Sequence, residues 1–460
     1  MRTGEFIAIL VALILANLSF FSKKKWILGA ALLLIPNFFM MQALGEGFRW
    51  PMIVAYLALI PFFLSGGFRK EKMLGAYVGF HLVLMMAVGL LFLFPANDLP
   101  EPTGPFRVGT VDGVFENPDR RDPLAPEESE SRRLGWQAWY PSQGYLEFPL
   151  APWIKAGNRV GPLILKVGGL PGFLFQYLDQ IKTSSRVGDL PLSNLAPYPL
   201  VIMSHGWLGF RNVHTNLAEE MASRGFVVLA IDHTYGALAV PFENEEYVEV
   251  NPEILPEGLT GEPFLEKAHI LVSNYGMDIV DILGALRRGE LVPKGLGDII
   301  NLNQVGLFGH STGAGGGLWA AGTGGADIQA LVSWDPWVEA LRDDELSLGV
   351  KAPWLAIRSE AWEGKPNDVN FFKLLKDSVS GPEFLQAQGM KHWDMTQLYA
   401  LSPLVKSLPQ MGSLEALEGA RGLIGETVRF FQAQLGRPLP MAIEHGLRPL
   451  WLKALWAGKE

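Results

Sequence analysis

Residues 304–317 read Gln-Val-Gly-Leu-Phe-Gly-His-Ser-Thr-Gly-Ala-Gly-Gly-Gly, and this stretch decides the fold. The apolar run 305–308 predicts a strand and 312–321 predicts a helix. Between them, Gly309-His310-Ser311-Thr312-Gly313 fits the pattern G-x-S-x-G. The requirement behind that pattern is steric. A serine presented on a sharp strand-to-helix turn needs neighbours without side chains two residues away on either side. Gly315, Gly316 and Gly317 then let the helix lie close to the sheet. The strand–turn–helix setting marks Ser311 as a candidate nucleophile rather than part of a plain glycine turn.

Outward from this turn, short apolar runs alternate with helical patterns. Strands are expected near 107–114, 135–140, 200–204, 227–231, 330–333, 354–358 and 383–385. Helices are expected near 212–224, 265–288, 371–377 and 414–435. Such alternation predicts an α/β domain with a mostly parallel central sheet and helices on both faces. Two inserts interrupt it, a Trp/Leu/Phe-rich one at 143–196 and a Pro/Glu-rich one at 235–264. Long loops in a compact domain tend to be lids or binding segments, so both are candidate walls of a substrate pocket.

A serine nucleophile needs a base, an orienting acid and donors for the oxyanion. The chain holds eight histidines. His392, after the last expected strand and before the last long helix, stands where a base belongs. The others fall elsewhere: His81 in an apolar run, His205 and His233 at strand ends, His214 and His269 on helices, His310 beside the serine and His445 in the tail. Two acids follow the serine in the right order. Asp335 ends the strand after it and Glu360 ends the next, and the pattern leaves both open. The oxyanion donors are expected at the Thr312 N–H and, from the strand-end loop 204–207, at the Trp207 N–H.

The chain has 460 residues, 49% hydrophobic and only 18% charged, with a mean hydropathy of +0.18. The low charge excludes a disordered chain. The net charge of −9 offers no basic footprint for nucleic acid. Without cysteine there is no disulfide, thiolate catalysis or cysteine-ligated metal. The charge is unevenly distributed. Residues 1–95 carry eight Lys/Arg and three acids, a net of +5, leaving −14 for the remainder.

Four apolar runs, 6–21, 26–44, 51–64 and 73–95, fill that first segment. A membrane span needs about 20 residues, so 1–95 is expected to form a four-helix transmembrane bundle. The first run is no cleavable signal, because Lys23, Lys24 and Lys25 follow it. His81 is expected to face the bundle with its polar atoms satisfied. Lys23, Lys24, Lys25, Arg69, Lys70 and Lys72 lie in the first and third loops, against Arg2 and Arg49 on the other side. The positive-inside rule then leaves both termini outside, so the chain is expected to be a multi-pass membrane protein with an extracytoplasmic catalytic domain. Residues 96–134 read as a proline-rich tether with the first strand, and 135–437 as the catalytic domain. The amphipathic tail 438–460, with Trp451, Trp456, Arg448 and Lys453, suits either a short interfacial helix or a final helix packed on the domain.

Collinear over about residues 102–435, the chain resembles the platelet-activating-factor acetylhydrolase family of α/β-hydrolases. The matching stretches are PTGPFRVGT, WQAWYP, YPLVIMSHGWLGFRNVH, ASRGFVVLAIDHTYG, VGLFGHSTGAGG, LVSWDPW, LAIRSEAW and GMKHWD. The resemblance implies an α/β-hydrolase fold and a serine esterase acting on short-acyl or oxidised phospholipid-like esters without metal or organic cofactor. It implies Ser311 as nucleophile, Asp335 as acid, His392 as base, and Trp207 and Thr312 as oxyanion donors. It favours Asp335 because the family's acid sits in a segment like SWDPW, making IRSEAW a structural match. Trp207 stands where members often have a smaller aliphatic residue. With Trp334, Trp337 and Trp393 near the expected triad, a narrow aromatic pocket is expected. Cutinase- and polyester-type hydrolases share the GHSxGxGG style and form the alternative. A catalytically silent membrane receptor is opposed by the complete catalytic set, and a transporter fragment by the lack of paired intramembrane charges. The expected partners are the lipid bilayer and an ester or phospholipid substrate.

Overall fold

A computed structural model describes residues 1–22, 24–64, 74–127, 130–242, 246–436 and 449–457. The chain divides into two compact units, residues 1–99, 152–182 and 400–407 in one and the rest in the other. Lys23, Arg69, Lys70 and Lys72, on which the expected orientation draws, and His445 lie outside the described residues.

In the first unit the apolar runs form α1 (Thr3–Phe21), α2 (Lys25–Glu46), α3 (Trp50–Leu64) and α4 (Leu74–Leu93). Ala8, Ala12 and Ala16 recur every four residues on α1 and are fully buried, with Ala31, Ala55, Ala58 and Ala87 from the other helices. Small residues on facing stripes let helix backbones approach closely where lipid surrounds them. Phe6, Leu10, Ile14 and Leu18 occupy the exposed face of α1, an arrangement suited to an apolar solvent. Three of these helices, α1, α2 and α4, are long and apolar enough to cross a membrane. Of the four expected spans, α3 is the one that falls short: it is apolar but has only 15 residues.

Helix ends meet at one place in this unit. The guanidinium of Arg49, before α3, donates to Glu5 on the first turn of α1 at 2.5 and 2.7 Å, and also to the carbonyl of Phe94 after α4. Arg2 donates to the carbonyl of Gly47 after α2 at 3.2 Å. Neighbouring helices therefore run in opposite directions. His81 sits near the other end of α4, one ring nitrogen 3.1 Å from the Asn17 amide and the other 2.9 Å from the Tyr77 carbonyl. Part of the insert 143–196 belongs to this unit. Residues 152–182, with α5 (Gly157–Val167), bring Leu174 O to the Trp50 indole at 3.0 Å and Tyr177 under Arg49.

The second unit is built on an eleven-stranded sheet, most of its inner strands parallel. The chain enters through β1 (Arg107–Arg121), β2 (Ser131–Ser142), β3 (Leu150–Pro152) and β4 (Lys182–Val187). Then come β5 (Tyr198–Ser204), α6 (Thr215–Ser223) and β6 (Val227–Asp232). The insert 235–264 holds a small hairpin, β7 (Ala239–Pro241) with β8 (Tyr247–Glu249), and leads into α7 (Gly261–Arg288). After α8 (Lys294–Gly297), β9 (Ile300–His310) runs to α9 (Thr312–Gly322). The chain continues with β10 (Ala330–Trp334), α10 (Asp343–Ser347), β11 (Trp354–Ser359), α11 (Pro366–Asp377), β12 (Glu383–Ala387) and α12 (Ala416–Leu435).

Alternation along the strands splits the core in two, as successive side chains point to opposite faces. Leu200 and Ile202 join Leu307, Leu331, Ala356 and residues of α7 and α11 on one side. Val201 and Met203 join Phe308, Val332, Leu355 and residues of α6 and α12 on the other. The expected helical tail is corrected: β13 (Leu452–Ala457) pairs antiparallel with β12, Leu452 opposite Ala387. Leu452 is buried in the second core cluster. The free edge of β12 offers backbone groups that a strand satisfies and a helix would not.

Candidate active site

The ends of β5, β9, β10 and β11 converge at the site. Ser311 caps α9 directly after β9, with φ 55° and ψ −121°, a left-handed φ that a non-glycine residue holds only under constraint. A Cβ on Gly313 would lie 2.3 Å from Ser204 O, and one on Gly309 would lie 2.5 Å from Ala314 Cα. Both positions therefore have to be glycine for the turn to close.

Asp335 follows β10 and also has a positive φ, 45°. Its side chain is fully buried, and one carboxylate oxygen lies 3.0 Å from His392 Nδ1. The other accepts from the Ser359 N–H at 2.6 Å, and the Ser359 hydroxyl donates to the His392-facing oxygen at 2.6 Å. His392 opens a short helical turn, and its Nε2 lies 3.0 Å from Ser311 Oγ. With Nδ1–H donating to Asp335, Nε2 is left as an acceptor for the serine proton. The turn is clamped by Asp394, which accepts from the Lys391 and Gly412 N–H groups at 2.8 and 2.5 Å.

Trp207, on the loop after β5, donates its backbone N–H to Thr312 Oγ1 at 3.2 Å. The loop approaches the serine closely, since a Cβ on Gly206 would lie 2.9 Å from Ser311 Cβ. The loop that carries Trp207 thus lies against the turn that carries Ser311 and Thr312.

The aromatic residues divide. Trp334 is buried in the core cluster beneath α12, its indole donating to Thr427 at 3.1 Å, so it is corrected from pocket wall to core. Trp337 is 8% exposed in the opposite core cluster, tilted against Phe264, and its backbone N–H donates to Ser311 O at 3.1 Å. Trp393 is partly exposed beside His392. Two side chains at the histidine were not singled out from the sequence. Trp362 stands edge-on to the His392 ring at 5.6 Å, and His310 stacks on it at 4.8 Å. Burial, reinforced by His392, holds the His310 imidazole well below its ordinary pKa, so it stacks as a neutral ring. Glu360 is exposed, leaving Asp335 as the acid at the histidine. Among the described residues, no group of three or more His, Asp or Glu side chains is placed to hold a metal ion.

Known proteins resemble this chain in sequence and fold. The family model described as platelet-activating factor acetylhydrolase, isoform II, matches residues 93–254, a segment that includes the 204–207 loop and ends before Ser311. The platelet-activating factor acetylhydrolase of Cavia porcellus is 24% identical over 368 residues, covering 75% of this chain and 80% of that protein. The same enzyme of Canis lupus familiaris is 23% identical over 295 residues, covering 58% of this chain and 62% of its own length. In structure, a ferulic acid esterase from Streptomyces cinnamoneus superposes with a TM-score of 0.63 at 21% identity, covering 78% of this chain and 99% of that one. In sequence the chain is similar to the platelet-activating factor acetylhydrolases, it shares the α/β fold of an esterase, and it is a carboxylic ester hydrolase.

Proposed function

We propose that the chain is a membrane-anchored serine esterase that cleaves short-acyl or oxidised phospholipid-like esters through a Ser311–His392–Asp335 acyl-enzyme mechanism. The observation that carries this reading is the relay itself, with His392 at 3.0 Å from both Ser311 Oγ and Asp335. Ser311 Oγ attacks the ester carbonyl carbon while its proton passes to His392 Nε2. Asp335 holds the imidazole tautomer and stabilises the imidazolium. The oxyanion forms against the Thr312 and Trp207 N–H groups, where fixed donors cost no reorganisation during reaction. His392 returns its proton to the leaving alcohol, which departs as the ester C–O bond breaks. Water then repeats the sequence on the acyl-enzyme, its proton passing to His392 and then to Ser311 Oγ.

The substrate class rests on the family, and the anchor on the apolar helices. In this reading α3 crosses with the other three helices, in keeping with the meeting of helix ends at Arg49. The catalytic unit then faces the extracytoplasmic side. A hydrolysis panel on the purified full chain tests the substrate reading. It compares short-acyl and oxidised phospholipids, long-chain phospholipids, p-nitrophenyl esters and a polyester. Turnover is expected to be highest on the first group. Preference for the polyester or simple esters would transfer the assignment to a cutinase-type or general carboxylesterase. A C-terminal reporter active only in the cytoplasm tests orientation, and a signal from it would reverse the topology.

A further inference from the structure

A second Ser-His-Asp arrangement lies within the catalytic unit. Ser204 Oγ is 2.7 Å from His233 Nε2, and His233 Nδ1 is 2.8 Å from Asp278 on α7. All three residues are at most 1% exposed, so no substrate reaches them and this is not a second hydrolytic centre. Arg132 clamps the Asp278 carboxylate with bonds of 2.9 and 2.5 Å, and Arg120 donates to it as well. Arg132 also reaches Asp122 at 2.7 Å and the Thr234 carbonyl at 2.8 Å. The arginines hold Asp278 far below the usual carboxylate range despite its burial. Burial lowers His233, which stays neutral. Its Nδ1–H therefore donates to Asp278, and its Nε2 accepts a hydrogen bond from the Ser204 hydroxyl.

This relay ends where the oxyanion loop begins. Ser204 is the last residue of β5, and Trp207 lies three residues on. The His233 backbone N–H also donates to His205 Nε2 at 3.3 Å, while His205 Nδ1 lies 2.7 Å from Gly206 O. One residue, His233, thus fixes Ser204 by its side chain and the His205–Gly206 pair by its backbone. The Tyr275 ring stacks on His233 at 3.7 Å and limits the tilt of the imidazole. On the other side, the tight approach of Gly206 to Ser311 leaves the loop little room.

We infer that the buried Asp278–His233–Ser204 relay is a positioning device for the oxyanion hole, fixing residues 204–206 so that the Trp207 N–H, which rests on Thr312 Oγ1 before reaction, is held within reach of the charge formed when Ser311 attacks. This rests on the reading of Ser311 as nucleophile. Its contribution lies in the transition state, because the oxyanion exists only there.

The test uses the full chain in detergent or nanodiscs, with a trifluoromethyl ketone analogue of the substrate as probe. Ser311 Oγ adds to the ketone carbon, its proton passes to His392, and the carbonyl pair becomes an oxyanion held as in the reaction. A non-hydrolysable ether analogue of the same lipid measures ground-state binding. In Ser204→Ala, kcat and ketone affinity are expected to fall together by about tenfold, less than the about 10²–10³-fold for deleting a donor outright. KM and ether binding should stay within about twofold. Ser204→Cys, nearly isosteric with a weaker donor, should fall between the two, and it carries the same readouts if Ser204→Ala does not fold. Unchanged ketone affinity in a folded variant, or an equal loss of ether binding, would overturn the inference. If the wild-type chain itself failed to bind the ketone, the reading of Ser311 would fail instead.

Discussion

Ser359 binds the Asp335 carboxylate twice, through its backbone N–H and its hydroxyl, each at 2.6 Å. β10 and β11 are parallel neighbours with Trp334 paired to Ile357, so the residues just beyond each strand end come together. The carboxylate has no access to water, and these bonds fix which oxygen faces His392. Replacing Ser359 by Ala removes one hydrogen bond to a buried charge, worth about 1.5–3 kcal/mol. The expected outcome is a fall in kcat of about tenfold or more with KM little changed. Glu360→Ala, one residue away but exposed, should leave kcat unchanged. Steady-state kinetics on the two variants checks both.

Close backbone approach at the turn makes a separate, structural demand. Gly313→Ala would place a methyl group 2.3 Å from Ser204 O and 2.4 Å from His205 O. Overpacking of this kind typically costs about 1–3 kcal/mol, and here it would also push on the oxyanion loop. Gly425 on α12 has nothing within 4 Å of its Cβ position, so Gly425→Ala should stabilise by about 0.5–1 kcal/mol. Denaturant melts of the two variants are expected to move in opposite directions.

Stability should also depend on pH through Glu219 on α6. Its carboxylate is 1% exposed and accepts from the Ser185 N–H at 2.8 Å and from the Ser185 hydroxyl. Burial pushes it up to about 7 from its ordinary 4.5. A folded-state value above the unfolded one means that the folded chain binds the extra proton between these limits. Its contribution is full below about pH 4.5 and is lost as pH rises through about 7. Glu219→Gln cannot ionise, so it should lose less stability than the wild type between pH 5 and 8. The difference is expected to be on the order of 1–3 kcal/mol. Equal pH slopes in thermal melts would contradict this.

The sheet and the site were legible to different depths. The strands at 200–204, 227–231, 305–308, 330–333 and 354–358 were readable because buried parallel strands are short apolar runs bounded by turn residues. Trp334 was misplaced although the information was present. In a strand, neighbours point to opposite faces, so an Asp335 aimed at His392 sends Trp334 to the other side. The tail was misread because its Trp, Leu and Lys pattern suits an interfacial helix. Only the exposed edge of β12, a tertiary fact, selects a strand. Ser359 and the Arg132–Asp278–His233 network escaped for the same reason: they are polar residues far apart in sequence, joined only by tertiary pairing, Ser359 to Asp335 by the neighbours β10 and β11 and the network by the strand order β5-β6-β2 and the packing of α7.

The most direct measurement of the central claim is to treat the full chain with a fluorophosphonate probe and map the adduct by peptide mass spectrometry. A single adduct on Ser311 is expected, formed much more slowly in His392→Ala. Ser311→Ala is expected to be unlabelled and to lose at least about 10³-fold in turnover. Labelling at another residue, or near-wild-type hydrolysis by Ser311→Ala, would contradict it.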